Sequence, residues 1–131
     1  MLKKLRSAAP ISLDMGLLIL RFFSFAFMLT HGWPKFQKVV AGNFVFRDPL
    51  GVGSGLSLGL TVFAEFFCSL LIMLGLFTRP ALLFNAITML VAAFVVHGPD
   101  PFKAKEVALL YLVISVALLL TGPGKYALDK K

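Results

Sequence analysis

Few side chains inside the apolar stretches of this sequence can do ionic or acid–base chemistry, and they fall into two sets. The first is Arg21 and Glu65, each inside a long apolar run. A helix from residue 11 to 33 spans roughly 34 Å, the thickness of a bilayer's hydrocarbon core, with Arg21 close to its middle. Glu65 follows about ten residues after a second helix start, at a matching depth. A charge at the midplane costs about 2.5–3.5 kcal/mol on insertion scales, so the two are expected to form a buried ion pair. That pair would either fix helix register or tune an interior site.

The second set is His31, Lys35, His97 and Glu106, with Trp33 beside them. The end of one span, the end of the third and the start of the fourth share one membrane face, so these residues are expected to line one outer pocket. His, Lys and Glu together can hold a small anion or a ligand carbonyl, or pass protons, while Trp33 and nearby phenylalanines cover an apolar tail. The alternative is that they are ordinary interfacial residues, with Lys35 snorkelling to the headgroups. The single cysteine, Cys68, reads as an inert packing thiol, no metal site is expected, and no residue is assigned a catalytic role.

The elements that must position these groups follow from composition. The chain has 131 residues, 59% hydrophobic and 15% charged, against roughly 45–50% and about 25% in soluble domains. This predicts an all-α transmembrane four-helix bundle, a single integral membrane domain over 1–131 with helices at about 11–33, 56–77, 80–97 and 101–121 and the loop 34–55 lying over the outer face. Pro34 is taken as the end of the first helix, Gly75 and Pro80 mark a short turn, and His97-Gly98-Pro99 and Gly122-Pro123-Gly124 are stops. Asp100 and Thr78 are read as helix N-caps. Gly51, Gly53 and Gly55 lack a preceding strand, which excludes a nucleotide-binding fingerprint.

The net charge of +7 sits at the ends of apolar segments, which points to phospholipid headgroups and excludes nucleic acid as the partner. Lys3-Lys4-Leu5-Arg6 precedes a run without a small-x-small cleavage site and is read as the flank of a retained first helix. Cytoplasmic termini place Lys3, Lys4, Arg6, Arg79, Lys125, Lys130 and Lys131 inside, against Lys35, Lys38, Arg47, Lys103 and Lys105 outside.

Arg21, His31-Gly32-x-x-Lys35, Ala64-Glu65, Leu74-Gly75-Leu-x-Thr78-Arg79, His97-Gly98, Glu106, Gly122-Pro123-Gly124 and Asp129, in that order, resemble the DoxX family of small bacterial integral membrane proteins. The resemblance implies a four-helix protein of the bacterial inner membrane. It also implies association with redox enzymes of sulfur or oxidative-stress metabolism, the family's name coming from a thiosulfate:quinone oxidoreductase. The expected function is therefore membrane-associated redox metabolism, through binding of a quinone or small sulfur compound or as partner of a soluble or membrane oxidoreductase. The alternatives are a non-catalytic membrane anchor or assembly subunit and, third, a small transporter or proton pathway. No flavin, haem or iron–sulfur motif is present, so electron transfer would need a quinone or a partner, and a homo-oligomer is left open.

Overall fold

The computed structural model describes residues 1–130; Lys131, counted above among the basic residues of the tail, lies outside the described residues. A five-residue helical turn, α1 (Leu2–Arg6), precedes four helices long and apolar enough to cross a membrane: α2 (Leu13–Val40), α3 (Ser54–Leu74), α4 (Thr78–Val96) and α5 (Phe102–Thr121). Each of α2, α3 and α4 packs on the next, and α5 returns to α2 through the slightest of the four contacts, closing an all-α transmembrane four-helix bundle. Large apolar side chains such as Phe23, Phe27, Leu83, Val113 and Leu120 cover the outside, as lipid requires. The core holds Phe25, Met28, Leu58, Ile72, Leu82 and Leu118 together with the polar Arg21, Ser69, Asn85 and Ser115.

Two features of the helices position the site. First, α2 does not end at Trp33 but runs through Pro34 to Val40. Proline removes one N–H and so strands one carbonyl, a loss a spanning helix tolerates when neighbouring groups adjust. The extra turns carry Lys35 and Lys38 as part of the helix, and the loop shrinks to residues 41–53. Second, α3 and α4 each contain a widened π turn, Phe63–Phe67 and Ala92–Val96. Such turns occur often at functional sites because they re-aim side chains without ending the helix. Asn85 donates from α4 to the Ala64 carbonyl in the first of them at 3.2 Å, and Ser115 of α5 donates to Asn85 at 3.3 Å.

At the end of the bundle that carries both termini, Gly75 takes a left-handed conformation, with Leu76 N–H bonded to Leu71 and Gly75 N–H to Ile72, the pattern of a glycine-terminated helix. The tail then folds across this end. Asp129 accepts from the backbone N–H groups of Phe77 and Thr78 at 2.9 and 2.8 Å and from the Thr78 hydroxyl at 2.6 Å. Thr78 is thus capped from the tail and does not cap α4 itself. Asp100 likewise does not cap α5; it pairs with His97 Nδ1 at 2.9 Å.

Candidate functional site

The buried arginine is held by backbone carbonyls through its two terminal nitrogens, while its Nε has no partner among the described residues. Arg21 is fully buried, and Nη1 donates to the carbonyls of Ile72 and Met73 at 2.7 and 2.6 Å while Nη2 donates to that of Tyr126 at 2.5 Å. The first two belong to the last turn of α3, where the helix dipole favours a cation, and Ile72 also accepts there from Gly75 N–H at 3.0 Å. The expected Arg21–Glu65 pair does not form, and helix length is the reason. With α2 reaching Val40, Arg21 lies only two turns from its start, and Gly32, which packs on Glu65, is eleven residues further along. Eleven residues of helix separate the two levels by about 16 Å, beyond the reach of any side-chain pair.

Glu65 pairs with Lys35, whose Nζ donates to both carboxylate oxygens at 2.8 and 2.6 Å. Gly32 makes the approach possible: a Cβ built there would stand 2.6 Å from the Glu65 carbonyl carbon and oxygen and 2.9 Å from Phe66 N. No side chain fits, so α2 and the π turn of α3 meet backbone to backbone, and Lys35, three residues on, reaches the carboxylate. The side chain of Glu65 is 6% exposed and that of Lys35 29%, so the lysine carries the pair's open side.

That open side faces a cavity of ≈ 580 Å³ in the half of the bundle away from the termini. α2 contributes Met28, His31 and Lys35; α3 Ser57, Leu60, Thr61 and Glu65; α4 a wall from Phe84 to Val96 that is apolar but for Thr88, then His97; α5 Ala104, Val107, Ala108 and Tyr111. Phe46, Arg47, Pro49, Leu50 and Val52 of the loop line the remaining side. Asp48 holds this loop in shape, accepting from Val52 N–H at 2.9 Å, Gly53 N–H at 2.8 Å and the Ser57 hydroxyl at 2.9 Å. The Gly53 bond above all, helped by those from Ser57 and Val52, keeps the Asp48 carboxyl below its ordinary range against the opposing effect of burial.

Of the five residues expected in one pocket, His31, Lys35 and His97 line the cavity, whereas Glu106 and Trp33 do not. Helical geometry explains both exceptions. On α5 the lining positions 104, 107, 108 and 111 follow a helical face, and Glu106 sits about 200° around from Ala104. Trp33 stands at the same angle from His31 and packs outside on Phe36 and Phe66, with ring centroids 5.9 and 6.0 Å away. The acid of the site is therefore Glu65, which the sequence had assigned to the other set.

Two lining residues escaped sequence reasoning. Tyr111 is nearly buried, its ring edge-on to that of His31 at 6.2 Å, and its hydroxyl has no protein partner among the described residues. A phenol within an otherwise aliphatic span was the available signal. Arg47 stands at the cavity's loop side, and its place depends on the Asp48 turn, which no periodicity announces. Chemically, the site offers a largely apolar chamber with a lysine and an arginine as cationic donors, one carboxylate acceptor, a phenol and two imidazoles.

The DoxX family model matches residues 16–98, well over half the chain. Inner membrane protein YqjF of Escherichia coli (strain K12) is 34% identical over 121 residues, covering 89% of this chain and 92% of that protein. A Bacillus subtilis (strain 168) protein named "Putative oxidoreductase CatD" is 31% identical over 119 residues, covering 90% of this chain and 87% of its own. An uncharacterized protein of Haemophilus influenzae is 30% identical over 114 residues, 79% of this chain and 80% of that one. No solved structure matches. With its four spans and the family match extending from the start of α2 to the end of α4, this chain belongs to the DoxX family of integral membrane proteins.

Proposed function

We propose that this protein serves membrane-associated redox metabolism by holding a quinone between its four helices. The observation that carries this reading is the ≈ 580 Å³ cavity with a single lysine–glutamate pair in an otherwise largely apolar wall. Ligand sites of this kind combine a mostly apolar surface with a few placed polar groups, which suits a ring carbonyl attached to an isoprenoid tail. A small sulfur oxyanion would use Arg47 and His97 but leave the largely apolar wall from Phe84 to Val96 idle, so the quinone is the better match. Electrons would then pass between the quinone and a partner oxidoreductase, and the name of the Bacillus subtilis relative supports a redox setting. The name of the Escherichia coli relative supports the bacterial inner membrane, and the excess of basic residues on the terminal side supports cytoplasmic termini.

The test is lipid extraction of the purified protein. Isoprenoid quinone is expected to co-purify with the native chain and to be absent from Ala108→Trp, which fills the cavity from α5. A native protein free of quinone but bound to a soluble enzyme would replace this reading with that of an assembly subunit.

A further inference from the structure

We infer that the cavity selects the reduced, hydroxyl-bearing form of its ligand, a quinol or other ring hydroxyl, over the oxidised carbonyl form. The inference rests on the cavity being a quinone site and names which member of the redox couple it holds.

The argument starts from the donors and acceptors that Lys35 and Glu65 have left. An ammonium has three N–H donors, and two of Lys35's are committed to the Glu65 oxygens at 2.8 and 2.6 Å. A carboxylate has about four acceptor directions, of which the lysine takes two. The pair therefore presents one remaining donor and a free acceptor side by side, at the edge of an apolar chamber. A hydroxyl satisfies both: its oxygen accepts from Lys35 while its O–H donates to Glu65. A carbonyl oxygen can take only the lysine proton, and it turns its own lone pairs toward those of the carboxylate. In a site of low dielectric an unmet acceptor and a lone-pair repulsion weigh more than they do in water.

The other polar groups do not cancel this preference. Those lining the cavity are His31 from α2, Ser57 and Thr61 from α3, Arg47 from the loop, Thr88 and His97 from α4, and Tyr111 from α5; Asp100 is engaged with His97. Arg47 and Tyr111 can donate to a carbonyl and a hydroxyl alike. Thr61 and Thr88 spend their own hydroxyl protons on the Ser57 and Phe84 carbonyls, and Ser57 spends its proton on Asp48. Glu65 is the one carboxylate among the described lining residues, and so the one charged acceptor able to distinguish O–H from C=O.

The experiment uses the full chain in lipid nanodiscs without oxygen, with empty nanodiscs as the partition blank. Three probes are compared: decylubiquinone, decylubiquinol and the dimethyl ether of decylubiquinol, which keeps the ring but has no O–H. The quinol is expected to bind at least about tenfold more tightly than either of the others. Glu65→Gln is expected to narrow the quinol-to-quinone ratio to about threefold or less while quinone binding persists. A quinone bound as tightly as the quinol, or an ether bound as tightly as the quinol, overturns the selection while leaving the quinone site standing. If none of the three binds, the quinone reading fails and this inference with it. Should Glu65→Gln not fold, the ether comparison on the native chain decides the matter alone.

Discussion

Replacing Gly32 with alanine tests the contact on which the whole site depends. The added Cβ would lie 2.6 Å from the carbonyl carbon and oxygen of Glu65. Carbon atoms rest comfortably at about 3.5–4.0 Å, so α2 and the π turn of α3 must separate by about 1 Å, and the obstruction is backbone that cannot rotate away. Overpacking of this kind costs roughly 1–3 kcal/mol. Lys35 sits on the helix that moves, so its 2.6 and 2.8 Å bonds to Glu65 lengthen to about 3.6 and about 3.8 Å, past the limit of a direct hydrogen bond. The control is Gly16→Ala on the same helix, where nothing lies within 4 Å of the new methyl group. There, alanine's better helix propensity should stabilise by up to about 1 kcal/mol. Thermal unfolding in one detergent, read by circular dichroism, is expected to move in opposite directions for the two variants, with quinol binding lost in Gly32→Ala alone. Equal midpoints would refute the backbone contact, and unchanged ligand affinity would refute the link from that contact to Lys35.

Arg21→Met removes the side-chain donor from the carbonyls of Met73 and Tyr126 and leaves that of Ile72 with Gly75 N–H alone, and is expected to destabilise by roughly 1–3 kcal/mol for each acceptor left unmet, measurable as a fall in the denaturant midpoint. Because Arg21 and Glu65 do not touch, Arg21→Met and Glu65→Gln should be additive; a recovery in the double variant would contradict the geometry. Burial acts to raise the Asp129 carboxyl, but hydrogen bonds from Thr78 and Phe77 and the charge of Arg21 hold it below its ordinary range. A carboxyl depressed in the folded state contributes stability above its unfolded value of about 3.9, lost as pH falls through the folded value. Proteolysis of the tail should therefore accelerate below about pH 4, with a smaller acid response in Asp129→Asn. Reporter fusions after Asn43 and at the C-terminus should report opposite faces of the membrane, the latter cytoplasmic; one shared face would remove a span.

What could be read from the sequence follows from which physical signals are local. Four spans were legible because lipid demands long apolar runs, and Gly75 and the Gly122-Pro123-Gly124 stop mark two of their ends accurately. His31, Lys35 and His97 were legible as a set because polar groups at one end of a bundle have few places to go. The pairing of charges was not legible, and a single residue accounts for the error. Reading Pro34 as a helix end shortens α2 by seven residues at that end and slides its apparent midpoint toward Arg21. The true helix has Arg21 near the terminal face, where carbonyls of the last turn of α3 and of the tail accept from it, and leaves the carboxylate within the opposite half of the bundle for Lys35. Neither the π turn that aims Glu65 nor the glycine contact that admits Lys35 leaves a periodic trace, because both depend on a neighbour distant in sequence. The motif His31-Gly32-x-x-Lys35 nonetheless has a physical meaning once Glu65 is set beside it. Gly32 sets the distance between helices, Lys35 lies one turn further along the same face to use it, and His31 flanks the chamber that the resulting ion pair opens onto.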